Sequence, residues 1–343
     1  MRGAADAAAM QQQQRAQRPR TVQGLGEIAD SFDGVLLDQF GVLHDGRTPY
    51  PAAIDAVRRL HAAGKRVVIV SNSSRRSGGT ISKLEKMGFD GGWFAGAITS
   101  GELTHRYLQQ RPDDWWRALG RRCVHLTWSS RGAISLSGLG LEVVDSLEDD
   151  PDFLLAHGTE AIAAPTAAAA AAAEEGRAAP AAREESLDGL RAFLGECAAA
   201  AKRRGRRIPM IVANPDIVTV DGAGGLITMP GTLADWWARL GGEVVLMGKP
   251  GPLIYEAARD LAAGGDSAAA GGGVDASRWL AVGDSLQHDV AGWQAQGPTL
   301  FVAGGIHAEE LRLEGDAFDA GALRALCEEH GAAPTHVIPW LRW

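Results

Sequence analysis

The sequence predicts an α/β protein built on a doubly wound parallel sheet, and three observations predict it. Short apolar runs of strand length alternate with amphipathic stretches of helix length along the chain. Glycine and proline stand at the ends of these stretches, where helices stop or begin. Polar residues follow directly after several of the apolar runs. Repeated alternation of this kind is typical of parallel sheets covered by helices on both faces.

The first βα unit begins with the apolar run 35–37, which predicts a buried strand. Segment 51–63 predicts a helix that begins near a proline and ends at Gly64, because three apolar side chains share one helical face: Ile54, Val57 and Leu60. The later elements follow the same pattern, with strands predicted at 67–70, 244–247 and 279–282 and a helix at 81–87. The chain thus predicts several strands of one sheet.

A polar side chain of a type that phosphoryl transfer requires follows each of four predicted strands. They are Asp38, Ser71, Lys249 and Asp284. Ligands bind at the carboxyl ends of the strands in sheets of this kind, so these side chains are expected to converge. Carboxylates, a hydroxyl and an ammonium are the groups that phosphoryl transfer through an aspartyl phosphate requires.

Five strings of the sequence resemble the haloacid dehalogenase (HAD) superfamily, and more narrowly its class IIA branch of NagD-like and pyridoxal-phosphate-phosphatase-like hydrolases. The strings are LLDQFGVLHDG, VVIVSNSSRRS, ANPD, MGKPGPLIYEAA and AVGDSLQHDVAG. The resemblance covers roughly residues 30 to 305 and includes all four superfamily motifs. It implies a Rossmann-like HAD core with an inserted α/β cap of the C2 type.

The resemblance also implies roles for individual residues. Asp38 would be the nucleophile and a ligand of Mg²⁺, with the backbone carbonyl of Phe40 and the carboxylate of Asp284 as further ligands. Ser71 and Lys249 would hold the phosphoryl group, and three nearby residues would contact the substrate: Gly41, Asn72 and Ser73. Asp289 would support Lys249 or the water shell of the metal. Taken singly, each polar residue also fits a helix cap, a turn or a solvated loop.

One position departs from the pattern of the family. Phosphatases of this family carry a second aspartate two positions after the nucleophile, which protonates the leaving oxygen, and here that position is Phe40. Phenylalanine cannot transfer a proton. Another residue then supplies the proton, with His44 and Asp45 as candidates, or the substrate has a good leaving group, or the protein binds phosphate esters without hydrolysing them.

Class IIA members insert their cap between the second and third motifs, and we expect it at residues 98–244, flanked by core segments 24–97 and 245–343. Strands are predicted at 124–126, 153–156 and 210–212, and a helix at 187–202. Asn214 and Asp216 resemble a cap loop that faces the phosphate site, where they would contact substrate or position Lys249. Such a cap favours a small phosphorylated metabolite as substrate.

Composition excludes several other classes of protein. The chain has 343 residues with 34 Lys and Arg against 42 Asp and Glu, a net charge of −8 that argues against nucleic-acid binding. No apolar run is long enough to span a membrane. Three scattered cysteines fit a reducing compartment, so we expect a cytoplasmic protein.

Low-complexity segments and paired tryptophans complete the sequence predictions. Residues 1–23 predict a disordered tail, with a plastid or mitochondrial transit peptide as the alternative. Segments 161–182 and 264–274 predict surface insertions. The pairs Trp115-Trp116 and Trp236-Trp237 are candidates for a homodimer interface, with core packing as the alternative. His125, His157 and His288 lack metal-ligand spacing.

Overall fold

A computed structural model describes residues 18–130, 134–220, 226–264 and 274–343. The strands within these ranges are β1 Arg20–Thr21, β2 Gly34–Leu37, β3 Arg66–Ser71, β4 Gly96–Thr99, β5 Arg122–Thr127, β6 Glu142–Val143, β7 Phe153–Ala156, β8 Ala161–Ile162, β9 Arg183–Glu184, β10 Met210–Val212, β11 Val218–Val220, β12 Leu226–Thr228, β13 Val244–Leu246, β14 Trp279–Gly283, β15 Thr299–Val302 and β16 His336–Ile338.

The α-helices of the same ranges are α1 Pro51–Ala62, α2 Gly78–Lys86, α3 Ser100–Gln110, α4 Asp114–Ala118, α5 Thr166–Glu174, α6 Leu187–Arg203, α7 Gly231–Arg239, α8 Pro252–Ala262, α9 Ala291–Trp293 and α10 Ala320–Glu329. A single π-helical turn at Leu286–Val290 precedes α9.

The core sheet has the strand order β1-β16-β15-β14-β2-β3-β4, and all of its pairings are parallel. Its central strands are buried on both faces because successive side chains enter different apolar clusters. Val35 and Leu37 pack with α1, whereas Leu36 packs with α8 on the opposite face. The predicted doubly wound α/β fold is confirmed.

A second sheet, with the order β13-β10-β7-β5-β8-β9 and β6 beside β5, is formed entirely from strands between Arg122 and Leu246. Helices α6 and α7 cover it through apolar side chains that include Leu194 and Trp237. The strands predicted near 124, 153 and 210 and the helix predicted near 187 are present in this part of the chain. Its division from the core at residues 98 and 244 stays a prediction.

The strand before Lys249 lies in a different sheet from the predicted one. The run 244–247 was expected in the core, but β13 pairs in parallel with β10 of the second sheet. Its residues are only partly buried, as expected for an edge strand. An apolar run shows that a strand forms, but it does not show which sheet the strand joins.

Two low-complexity segments also differ from expectation. The tail was predicted to reach residue 23, but β1 pairs with β16 and Val22 is fully buried. Segment 161–182 was predicted as a surface insertion, but β8 is buried against β5 before the exposed alanine helix α5 begins. The insertion predicted at 264–274 lies almost entirely outside the described residues, as do residues 1–17.

The tryptophan pairs are mostly explained by packing. Trp116 and Trp237 are buried, and Trp236 packs against the Arg191 guanidinium and donates a hydrogen bond to its carbonyl. Trp115 is 36% exposed. The homodimer stays a prediction. In the described parts of the chain, no helix has the length and apolar character needed to cross a membrane.

Acid is expected to destabilise the protein through a buried histidine pair. His125 on β5 and His157 after β7 are buried, with Nε2 of the first 3.1 Å from Nδ1 of the second. Burial lowers the pKa of His125 to about 4 from 6.5 and holds that of His157 well below its usual range. The unfolded chain therefore binds protons first as pH falls through 6.5 toward 4. His125 alone then costs about 2 kcal/mol of stability between pH 8 and pH 5.

Chemical denaturation at pH 8 and pH 5 measures this loss. His125→Gln should reduce the difference between the two pH values by about 2 kcal/mol. The exposed His61→Gln is the control and should leave it unchanged. An equal pH dependence in wild type and His125→Gln would contradict the assignment.

Candidate active site

The candidate site lies at the carboxyl edge of the core sheet, where parallel strands end side by side. Asp38 directly follows β2, Ser71 is the last residue of β3, and Asp284 directly follows β14. These three strands are adjacent, because β14 pairs with β2 and β2 pairs with β3. Lys249 enters from the second sheet, on the loop between β13 and α8. The convergence expected from the sequence is therefore present.

Lys249 lies between two carboxylates. Its Nζ is 2.9 Å from Oδ1 of Asp38 and 2.6 Å from Oδ1 of Asp289, and its side chain is only 3% exposed. Burial lowers the pKa of Lys249, but the charges of Asp289 and Asp38 outweigh this and hold the pKa well above its usual range. The ammonium is thus a fixed positive charge beside Asp38.

Three carboxylates of the site lie close enough to share one cation. Asp38, Asp284 and Asp289 each place an oxygen within 4.8 Å of the others. Burial raises the pKa of Asp38 to about 6, and burial together with the charge of Asp38 raises that of Asp284 well above its usual range. Lys249 offsets only part of this negative charge. A set of oxygen ligands with excess negative charge fits a hard divalent cation such as Mg²⁺.

Two glycines leave the space that the Asp284 carboxylate occupies. A Cβ on Gly41 would lie 1.9 Å from Oδ2 of Asp284, and one on Gly305 would lie 2.0 Å from the same atom. Gly41 also has a φ of +73°, which favours glycine. The backbone N–H of Ile306 donates to Oδ2 of Asp284 at 2.9 Å. Gly41 thus contacts a predicted metal ligand, and the sequence did not indicate Gly305 or Ile306.

Asn72, on the loop that follows β3, is hydrogen-bonded to Lys249. Its Oδ1 accepts the backbone N–H of Lys249 at 2.7 Å, and its Nδ2 donates to the Lys249 carbonyl at 3.1 Å. The neighbouring Ser71 and Ser73 line the same cavity, and Oγ of Ser71 accepts the N–H of Ser73 at 3.3 Å. The Asn72 side chain is therefore occupied in holding Lys249, while both serines lie along the cavity.

Asp216 reaches the site from the second sheet. Its Oδ1 accepts Nδ2 of Asn72 at 2.8 Å and lies 3.2 Å from Nδ1 of His288. Its own N–H donates to Oδ1 of Asn214 at 2.9 Å, which forms a local Asx-type turn. Asp216 thus acts on Lys249 through Asn72. His288 is a site residue that sequence spacing missed, since its partner is 72 positions away.

Phe40 is two residues after Asp38, and the two candidate proton donors near it, His44 and Asp45, differ in position. His44 is buried and packs edge-on against Phe40 with ring centres 6.0 Å apart. Its Nδ1 accepts the N–H of Gly46, and burial lowers its pKa to about 4, so the imidazole is neutral at pH 7. Asp45 is exposed, and hydrogen bonds from the Thr48 and Arg47 amides lower its pKa.

Neither residue is therefore suited to supply a proton at neutral pH. A neutral imidazole is a weak acid, and Asp45 is ionised in a turn away from the cavity lining. The proton-donor role expected for Asp45 stays a prediction, and its exposed position outside the cavity lining does not support it. His44 remains beside the site as a hydrogen-bond donor, because Nδ1 is used as an acceptor and Nε2 carries the hydrogen.

A cavity of about 750 Å³ joins the site to the second sheet. The core contributes the residues already described, and the second sheet and the β11–β12 hairpin contribute Asn214, Thr219, Ile227 and Met229. Four cations that the sequence analysis did not single out also line it: Arg47, Arg75, Arg76 and Lys83. The cavity has the size of a small-molecule site.

A parallel α/β core with clustered carboxylates and a buried ammonium, covered by a second α/β layer, defines a class of phosphate-handling hydrolases. Comparison with known families agrees. The family model described as haloacid dehalogenase-like hydrolase matches residues 35–142, and a HAD-hydrolase-like model matches residues 246–339. The chain belongs to the haloacid dehalogenase-like hydrolases, which confirms the resemblance found in the sequence.

Individual relatives support this placement. Chronophin from Bos taurus is 26% identical over 271 residues, covering 78% of this chain and 79% of that protein. Glycerol-3-phosphate phosphatase from Homo sapiens is 39% identical over 89 residues, covering 24% of this chain and 27% of that protein. The crystal structure of a haloacid dehalogenase-like hydrolase from Brucella suis 1330 has a TM-score of 0.66 at 27% identity, covering 93% of this chain and 99% of that chain. These relatives agree with the class IIA branch.

Proposed function

We propose that the protein is a Mg²⁺-dependent phosphatase of small phosphorylated metabolites that acts through an aspartyl phosphate on Asp38. The observation that carries the proposal is the geometry around Asp38. Its carboxylate lies 2.9 Å from the buried Lys249 ammonium and within 4.8 Å of two further carboxylates, at one end of a cavity of small-molecule size. One of the named relatives is a glycerol-3-phosphate phosphatase.

The proposed reaction has two displacements at phosphorus. An oxygen of Asp38 forms a bond to phosphorus, and the ester P–O bond breaks with its electron pair leaving on the departing oxygen. Water then attacks the phosphorus of the aspartyl phosphate, loses a proton, and releases inorganic phosphate and the Asp38 carboxylate. Lys249 neutralises charge on the phosphoryl oxygens, and Ser71 donates a hydrogen bond to them.

The metal would be held by Asp38, Asp284 and the Phe40 carbonyl, with Asp289 supporting Lys249 at 2.6 Å. When bound, Mg²⁺ neutralises negative charge on the phosphoryl oxygens and on the carboxylates. The fit rests on the donor set, since the buried Asp284 and Asp289 and the partly buried Asp38 lie within 4.8 Å of one another with a single ammonium beside them. Gly41 and Gly305 leave room for Asp284 to approach.

Phe40 favours one group of substrates within this function. Position 40, where the family resemblance implies a proton-donating carboxyl, is a phenylalanine. The pKa values of His44 and Asp45 are lowered, so neither side chain carries a proton to donate readily at neutral pH. A leaving oxygen that is stable as an anion needs little protonation. We therefore propose aryl phosphates, acyl phosphates or phosphoanhydrides as better substrates than alkyl phosphates.

Phosphate release from p-nitrophenyl phosphate tests the proposed function. Wild type should release phosphate with Mg²⁺ and stop when EDTA removes the metal. Asp38→Asn should lose at least about 10³-fold in rate, because the amide is not a nucleophile. Asp30→Asn, an exposed carboxylate outside the cavity lining, is the matched control and should retain the wild-type rate.

No release by wild type from aryl or acyl phosphates would overturn the phosphatase proposal. Calorimetry with a phosphate ester and Mg²⁺ would then test the binding-protein alternative. Release that survives in Asp38→Asn would overturn the aspartyl phosphate while leaving a phosphatase.

A further inference from the structure

Three cations that line the cavity have no carboxylate partner among the described residues: Arg47, Arg75 and Lys83. Arg75 lies on the loop that follows β3, and Lys83 lies on α2. Both line the cavity that contains Asp38. The adjacent Arg76 differs, because its Nε and Nη2 bind the Glu102 carboxylate at 2.6 and 3.1 Å. Arg76 is therefore neutralised by the protein, whereas Arg75 and Lys83 remain available to a ligand.

Arg75 and Lys83 line one cavity and influence each other electrostatically. Partial burial and the charge of Arg75 lower the pKa of Lys83, so the two like charges lie within electrostatic range of each other. Like charges held near each other without a counter-ion raise the energy of the free protein. A bound anion would relieve this repulsion and gain a charge-assisted hydrogen bond from each group.

The first turn of α2 and His44 add neutral donors to the same part of the cavity. Gly79 and Thr80 line it near the helix start, where the Ser77 side chain makes no cap, and a Cβ on Gly78 or Gly79 would meet nothing within 4 Å. Nε2 of His44 is buried without a partner in the described structure. Unsatisfied N–H groups and a helix N-terminus both favour an anion.

The distance between Ser71, at the proposed phosphate site, and Arg75 is short enough for one small molecule to contact both. Arg75 is four positions after Ser71, so their Cα atoms are at most about 14 Å apart. The arginine side chain shortens the gap to a ligand further. A compound with a few atoms between its phosphate and a second anionic group could therefore contact both ends.

We propose that Arg75 and Lys83, with the first turn of α2, form a second anion subsite, and that the preferred substrates are small phosphate esters or anhydrides carrying a further carboxylate or phosphate. This inference rests on the proposed function, because the transferred phosphate defines where the second group lies. It concerns recognition only, and the bonds that form and break are those of the reaction above.

Competition against p-nitrophenyl phosphate tests the subsite without requiring that the competitors be hydrolysed. Three compounds share a three-carbon chain: glycerol 3-phosphate has no second anion, 3-phosphoglycerate has a carboxylate, and glycerol 1,3-bisphosphate has a second phosphate. Wild type should bind at least one of the two anionic compounds on the order of tenfold more tightly than glycerol 3-phosphate. The tighter of these two identifies the anion that the subsite prefers.

Variants assign the preference to the two cations. Arg75→Gln/Lys83→Gln should bring the ratio of inhibition constants close to 1. Lys86→Gln, on the same helix but outside the cavity lining, removes one positive charge and should keep the wild-type ratio. The preference should also weaken as salt is raised, because the cations are partly exposed to solvent.

Two outcomes would overturn the proposal. Equal inhibition by all three compounds in wild type would show that no second anion is recognised, and an unchanged ratio in the double variant would place recognition elsewhere. Neither outcome affects the proposed function, since turnover of p-nitrophenyl phosphate is measured in the same assay. If that turnover is absent, calorimetry with the three compounds and Mg²⁺ gives the same ratios.

Discussion

Phe40→Asp is expected to raise Mg²⁺-dependent phosphate release from an alkyl phosphate by about 10²- to 10⁴-fold, the usual contribution of a general acid and base. The substitution places a carboxyl two positions after Asp38, where the family resemblance implies a proton donor. Release from p-nitrophenyl phosphate should change far less, because p-nitrophenolate leaves without protonation. Steady-state rates with both substrates measure the selective gain.

The matched control is Phe40→Asn, which has a similar size and polarity but cannot transfer a proton. It should show no selective gain on the alkyl phosphate. Both variants remove the ring that packs 6.0 Å from His44, so any effect of altered flap packing appears in both. Equal small changes on both substrates in Phe40→Asp would show that proton transfer is not what limits the wild type.

Lys249→Met should both inactivate and destabilise the protein. The Nζ of Lys249 lies within 3 Å of Asp38 and Asp289 and is almost fully buried, so its removal leaves buried carboxylates without their cation. Breaking a buried ion pair on one side typically costs about 3 to 5 kcal/mol. Loss of a positioned charge at the phosphoryl group should lower the rate at least about 10²-fold. Urea denaturation and p-nitrophenyl phosphate turnover measure the two effects.

A second substitution separates the two effects. Lys249→Met/Asp289→Asn removes one of the two carboxylate charges left unpaired by Lys249→Met. It should recover part of the lost stability without recovering activity. Full activity in Lys249→Met would contradict the proposed role of the ammonium. Unchanged stability would mean that the carboxylates take up protons or solvent at little cost.

Much of the site was predictable because its signals are local. Asp38, Ser71 and Asp284 each stand at the end of an apolar run, and parallel strands bring their carboxyl ends to one edge of a sheet. The placement of these residues needs only the order of residues and the geometry of a strand. The family resemblance adds that Phe40 stands where a proton donor is implied, two positions after Asp38.

Other features depended on contacts between distant parts of the chain. Lys249 follows a strand of the second sheet, and its position is held by Asn72, which is 177 residues away. Asp216 reaches Asn72 over 144 residues and also meets His288. No periodicity or spacing encodes such pairs.

The sequence by itself determined the α/β class and the residues at the strand ends, because these follow from local hydrophobic pattern and residue type, and it has Phe40 where the family resemblance implies a proton donor. Only the tertiary structure decided which sheet β13 joins, which side chains position Lys249, and which cations stay unpaired around the cavity. Arg75 and Arg76 are identical and adjacent in sequence, yet within the described parts of the chain only Arg76 of the two meets a carboxylate, Glu102, brought to it by the folding of α3. Whether a charge is satisfied or left for a ligand depends on three-dimensional neighbours, and neither arginine carries that information in its own sequence environment.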